Sequence, residues 1–376
     1  MRIALHLMEP WLIEHQNAPY NLAESGVLDQ TVGELLQKTG ADSAELLRLS
    51  FKNIDTYGSP ELRNAIAGVY GDLDPDSILV TTGTSEALFI YYHIRHEKGA
   101  NVVVPFPAFQ SLYEIPRYLG YEVRFLRLRV EDNFRPDLDE LAALVDDRTK
   151  VIVLNNPHNP TGVLFSEEEV RAILEIADRH GAEVLADEHY RFMPYGEREL
   201  IPSLYNRSRN VVAVGSMIKC FGCVGLRVGW LIGPRELIES SRDLKDYTTH
   251  TLCSVTDYLA RAALSGWRAI VPEYKGWILD NISEFRSFLS EHRGLIDWVE
   301  PQAGIVAFPF FTDRSVSSKE FTDGLVKNQG VSLLPGEAFE TPGHFRLGLG
   351  VPPRAFEAAM RRLSDHIASQ GWHQIF

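Results

Sequence analysis

Cysteine is scarce, with three in 376 residues, and the scarcity excludes several kinds of chemistry. A structural zinc site takes four ligands, usually two Cys-x-x-Cys pairs or one pair with a His-x3-His partner. Cys220 and Cys223 form one such pair, with no second pair and no such histidines nearby. A thioredoxin-like redox pair should open a helix near the start of a small βαβ domain, and this one stands past the middle of the chain. Three reduced, mostly buried thiols, at 220, 223 and 253, are the expectation. Long apolar runs are also missing. None approaches the ~18 residues of a spanning helix, and the first twenty residues lack the apolar stretch of a secretory signal, so no membrane partner and a cytoplasmic location are expected. Positive charge is not in excess either: 37 basic against 51 acidic residues give a net charge of −14. Such a field is unsuited to nucleic acid, and solubility accounts for it. There is no internal repeat, low-complexity tract or GxGxxG fingerprint.

What is present reads as an α/β protein. Hydrophobic residues make up 45% and charged residues 23% of a chain long enough for about two domains. Short β-rich runs (NVVVPFP, EVRFLRL, KVIVLNN, AEVLADEHY, NVVAVGS, RVGWLIG) alternate with helical patterns. One of these, SEEEVRAILEIADRHG, opens on a Ser-x-x-Glu capping box and ends on Gly181. Strand and helix in alternation predict a mostly parallel sheet covered on both faces. The expected organisation is an N-terminal arm over 1–45, a large domain over 46–275 and a smaller α+β domain over 276–376. The last holds a helix near 272–292 and a final amphipathic helix from the proline pair 352–353.

In open parallel sheets ligands sit beyond the carboxyl ends of the strands, so the residues just past each strand carry the functional reading. TTGTSEAL places Gly83, Thr84 and Ser85 at a helix start, where free N–H groups and the dipole suit a phosphate; the plain alternative is a Thr84 or Ser85 N-cap. Phe109, past NVVVPFP, could cover a flat ring or fill the core. Asn155, Asn156 and Asn159 lie in a polar turn that asparagine favours for its own sake. Asp187 ends an apolar strand, where a buried carboxylate needs a cationic partner. Asp187 and His189 share a strand face, but no third metal ligand is evident and no metal is expected. In GSMIKCFGCVGLRVGW, Ser216 precedes Lys219 by three residues and Arg227 follows by eight, a hydroxyl and a guanidinium for an anion beside an amine. A lysine at a strand end is costly to bury unless its pKa falls or it reacts.

The ordered series YGSPELR, VTTGTSEAL, PFPAFQSLY, NNPHNPTG, ADEHY, SMIKCFGCVGLRVGW and FRLGLG resembles the class I/II aminotransferase family of pyridoxal 5'-phosphate enzymes, fold type I, from about residue 20 onward. The resemblance implies that Lys219 attaches the cofactor. Asp187 would pair with its ring nitrogen, Asn159 and Tyr190 would bond its phenolic oxygen, and Phe109 would stack on its ring. Gly83, Thr84, Ser85, Ser216 and Arg227 would hold its phosphate. Tyr57 would reach the phosphate of a second subunit in a homodimer, and Arg346 would clamp the α-carboxylate of an amino acid substrate. Cys220 and Cys223 depart from the small or apolar residues usual after the lysine.

Within that family the softer likenesses EPWL, SGVLDQTVGEL, FRPDLDEL and GIVAFPFF resemble the capreomycidine synthase and enduracididine cyclase group. These enzymes close hydroxylated arginine into a cyclic guanidine. That implies loss of a β- or γ-hydroxyl and ring closure without a keto acid, and a carboxylate for the guanidinium, with Glu9 and Glu24 as candidates. The competing expectation is a conventional aminotransferase. A non-catalytic regulator of the same fold would carry a DNA-binding domain, for which the arm leaves no room.

Overall fold

The computed structural model describes residues 2–71, 73–313 and 315–369. The first residue of the expected arm and the last seven of the expected C-terminal domain therefore lie outside the described residues.

The chain begins with a short helix, α1 (Glu9–His15). The central sheet then takes β1 (Ile78–Thr81), β2 (Asn101–Phe106), β3 (Glu122–Arg127), β4 (Thr149–Asn155), β5 (Glu183–Asp187), β6 (Val211–Ser216) and β7 (Gly229–Ile232). Their order across the sheet is β1-β7-β6-β5-β4-β2-β3. β7 runs antiparallel to both β1 and β6, and the other neighbours are parallel. The sheet is thus mostly parallel, as the alternation predicts. Its inner strands read as near-continuous apolar runs because both faces are covered: Val102, Val104, Val153 and Val214 enter one core cluster, and Val103, Ile152, Val184 and Ala213 the other.

Local signals set the connecting helices. α2 (Thr84–Ile94) follows β1. α3 (Glu167–His180) shows the predicted capping box, Ser166 with Glu169, and stops on Gly181 in the left-handed conformation. The long helix, α4 (Trp267–Glu291), begins five residues before the expected 272, and Pro272 is its sixth residue, where the missing N–H forgoes one i→i−4 bond. The run GIVAFPFF is divided into Val306–Ala307 and Phe310–Phe311, which join different small sheets. β8 (Phe345–Gly348) carries Arg346 and pairs antiparallel with Val306–Ala307 and Leu334–Pro335. The amphipathic α5 (Pro353–Ser369) closes the described chain. Near the N-terminus, Tyr20–Asn21 pairs in parallel with Val331–Ser332, so the early chain is stitched to the late one. No helix among the described residues is long and apolar enough to cross a membrane.

Candidate active site

The carboxyl ends of β4, β5 and β6 stand side by side, with Asn155 opposite Asp187 in the register. A cleft of about 850 Å³, open mouth included, lies beyond them. Asp187, Asn159, Tyr190, Lys219 and Arg227 line it, with Phe109, Thr84 and Ser85 beside them and Arg346 and Glu9 from outside the sheet.

At the start of α2 the N-cap is Gly83 itself, with φ 79°, and no side chain caps the helix. The plain N-cap reading of Thr84 or Ser85 therefore fails: Thr84 occupies the first helical position and its hydroxyl donates to the Gly215 carbonyl at 3.2 Å. The first-turn N–H groups of a helix have no intrahelical partner, and here none is covered by a cap. A Cβ on Gly83 would lie 2.7 Å from the Arg227 guanidinium, so glycine is needed both for its backbone and for room beside that arginine. Arg227 is exposed in the cleft, in the left-handed region at φ 51°. Ser216 is placed differently. Its hydroxyl is buried, donates to the Val228 carbonyl at 2.9 Å and accepts from the Ile218 N–H, so it braces the turn leading to Lys219 rather than lining the cleft.

Lys219 follows that turn. Burial lowers its amine below the ordinary lysine value, opposed by Glu24 and assisted by Arg346 and Arg227. Glu24 is half exposed, absent from the cleft wall, and 4.0 Å from the Lys219 Nζ. The preceding arm wraps this loop: Val27 N–H donates to the Lys219 carbonyl and Gln30 N–H to the Gly222 carbonyl. Cys220 and Cys223 are buried free thiols and Cys253 is exposed. Burial raises both buried thiols, Cys223 to about 12, which leaves them protonated and inert.

Asp187 is buried and has no cationic side chain within ion-pair distance among the described residues; burial pushes its carboxyl up to about 7. His189 lies beyond the end of β5, and its N–H reaches Asp187 Oδ1 at 3.3 Å. Its ring, near Thr84 Oγ1 at 3.4 Å, is pushed down to about 3 by burial and by Lys219 and Arg227. No group of three metal-ligating side chains occurs among the described residues. Asn155 shapes the asparagine turn by accepting from the Asn159 N–H at 2.7 Å. The Tyr190 hydroxyl donates to the Ser25 carbonyl at 2.9 Å.

Arg346 is buried yet faces no carboxylate within 4 Å among the described residues. Nη2 donates to the Ala23 carbonyl at 2.7 Å, Nη1 lies 3.4 Å from Asn159 Oδ1, and Nε has no partner. A buried, incompletely bonded guanidinium is costly, and an anionic ligand would relieve it.

Tyr57 lies outside this cleft. It lines a separate depression with Arg63 and Arg235, and the Arg63 and Arg242 guanidinium carbons lie 5.8 and 5.5 Å from its ring centre. Met8, Leu12 and Ser25 line the cleft without having been singled out. Met8 and Leu12, four residues apart around Glu9, could have been found as one face of a short helix.

These residues fit pyridoxal phosphate: an uncapped helix start beside an arginine, a buried acid without a cation, and a desolvated lysine amine. The molecule is a pyridoxal-phosphate-dependent enzyme of fold type I. The chain belongs to the aminotransferase class I and II family, whose model matches residues 19–363. It is 29% identical over 365 residues to capreomycidine synthase of Streptomyces vinaceus, covering 96% of this chain and 93% of that one. It is 27% identical to an aspartate aminotransferase of Pyrococcus horikoshii, covering 83% and 82%. Among solved structures, the pyridoxal-phosphate-dependent cyclase OrfR superposes with a TM-score of 0.92 at 28% identity, covering 98% of both chains.

Proposed function

We propose that this enzyme removes water from a hydroxylated L-arginine and closes the guanidine onto its side chain, giving a cyclic guanidino amino acid of the enduracididine or capreomycidine type without consuming a keto acid. The observation that bears on the substrate class is the carboxylate of Glu9 in the cleft wall, with Glu24 outside the wall but 4.0 Å from the Lys219 amine. A cationic substrate side chain would be drawn to Glu9. The likeness to capreomycidine synthase and to the cyclase OrfR supports the reaction type.

Pyridoxal phosphate, when bound, supplies an electron sink for negative charge at the substrate Cα. Lys219 is the residue that would attach it, and the burial that lowers its pKa favours the neutral amine that would take the Cα proton. Asp187 would meet the protonated ring nitrogen, which lowers the carboxyl from about 7 by supplying the missing cation. Gly83, Thr84, Ser85 and Arg227 would hold the phosphate, with Ser216 bracing the lysine turn. Phe109 would cover the ring, and Asn159 and Tyr190 would bond its phenolic oxygen. Arg346 would bind the α-carboxylate, satisfying its open Nε. Tyr57, outside its own chain's cleft, would serve the cleft of a second copy in a homodimer. In the overall conversion a C–O bond breaks, a C–N bond forms and one water leaves, with no net oxidation. The guanidine loses one proton to the departing hydroxyl.

The second reading is ordinary transamination, favoured by the similarity to aspartate aminotransferases. Incubating cofactor-loaded protein with β- or γ-hydroxy-L-arginine and no keto acid tests the two. A product lighter by one water with every nitrogen retained is expected; turnover only with added keto acid would make the enzyme a transaminase.

A further inference from the structure

The N-terminal segment that delivers Glu9 to the cleft is held in an unusual way. Ile3, Leu5 and Leu7 are exposed, at 48, 75 and 40%, so residues 3–7 gain little from burial. Their backbone is fastened by one side chain, Gln110. The Leu7 N–H donates to Gln110 Oε1 at 2.7 Å, and Gln110 Nε2 donates to the Leu5 carbonyl at 2.9 Å. A single amide thus plays the part of a paired strand. Gln110 is 4% exposed, and its own carbonyl accepts from the N–H groups of Tyr113 and Glu114 at 3.1 and 2.9 Å, which fixes the base of the side chain. The next residue back is Phe109, whose ring lies 5.7 Å from that of His6 in the same segment. Directly after the fastened stretch come Met8, Glu9 and Leu12, three residues of the cleft wall. Met8 Sδ lies 3.8 Å from Arg346 Nη1.

We propose that Gln110 is a latch: its amide holds residues 5–7 across Phe109 and so keeps Met8, Glu9 and Leu12 in the substrate end of the cleft. It is a positioning residue, acting through the segment rather than on the substrate. Releasing it frees a stretch with little buried apolar surface, which is the kind of region that opens locally without global unfolding. Substrate affinity then falls because three wall side chains are lost together, while the strand-end residues stay in place. The kinetic part of this inference rests on the cleft being the substrate site; the latch itself does not.

The test uses the cofactor-loaded full chain as wild type, Gln110→Ala and Gln110→Glu. Amide hydrogen exchange is read over residues 2–12 and over 106–119, alongside cofactor absorbance and steady-state kinetics with the best amino acid substrate. Two hydrogen bonds of ordinary worth predict about tenfold or faster exchange at Leu7 in Gln110→Ala. Gln110→Glu should be intermediate, since its carboxylate accepts from Leu7 but cannot donate to Leu5. KM should rise several-fold with kcat less affected and the cofactor absorbance unchanged. Unchanged exchange over 2–12 in both variants would overturn the latch. Faster exchange through 106–119 as well would also overturn it, by showing that Gln110 serves the local fold. Faster exchange over 2–12 with unchanged KM would keep the latch and contradict the substrate placement.

Discussion

The two walls of the cleft are built in opposite ways. On one, Asp187, Asn159 and Lys219 project from strand ends and turns of a sheet buried on both faces, and their neighbours bond them to main chain on several sides. On the other, Glu9 and Leu12 come from a seven-residue helix and Met8 from the position just before it, after a run of exposed apolar residues. A rigid frame suits groups that must keep a fixed geometry to a reactive ring, and a loosely held segment suits groups that must admit and release a substrate. In the proposed reaction the general chemistry thus resides in the sheet and the choice of substrate in the arm.

Substitutions should separate the walls, and the largest effects belong to the strand-end wall and to Arg346, which faces the cleft from the small sheet. Lys219→Ala should lower turnover about 10³-fold or more and abolish the absorbance of covalently held cofactor, since the proposed base and attachment point are both lost. Arg346→Ala should raise KM for every amino acid by about 100-fold, the worth of a charged bidentate contact, and leave cofactor affinity unchanged in an absorbance titration. Gly83→Ala should weaken cofactor binding about tenfold, because the added methyl meets the Arg227 guanidinium and the backbone sits at φ 79°.

Asp187 offers a pH test of the same wall. Burial pushes its folded carboxyl up to about 7, above the ordinary Asp value of about 3.9. An acid with a raised folded pKa leaves the cofactor-free protein progressively less stable as pH rises across that window. Asp187→Asn should remove the loss, raising the cofactor-free melting temperature at pH values above the window with little effect below it. The same change should weaken cofactor binding. A variant destabilised at all pH values would break the assignment.

The sequence shows these walls unequally. The sheet wall was legible because the residues that line the cleft from it follow apolar strands at short, fixed distances: Asp187 ends one, Lys219 follows another by three residues, and glycine and arginine flank them. That spacing is imposed by a parallel sheet, so it survives in one dimension. Ser216 reads from its spacing as an anion ligand, and spacing alone does not show that its hydroxyl is engaged by the Val228 carbonyl and the Ile218 N–H. The arm was less legible. Glu9 appears as a candidate only through resemblance, while Met8, Leu12 and Gln110 act through contacts more than 100 residues apart in sequence, such as Leu7 with Gln110. The start of α4 was misjudged because Pro272 reads as a helix beginning though it lies inside one.

The account turns on whether the arm selects a cationic side chain, and the most direct measurement compares equilibrium binding of L-arginine and L-citrulline, nearly equal in shape and different in charge, to cofactor-loaded wild type and Glu9→Gln. The prediction is a preference for arginine of about tenfold or more in the wild type, shrinking several-fold in the variant. Equal binding of the two, or a preference for an acidic amino acid over both, would contradict it.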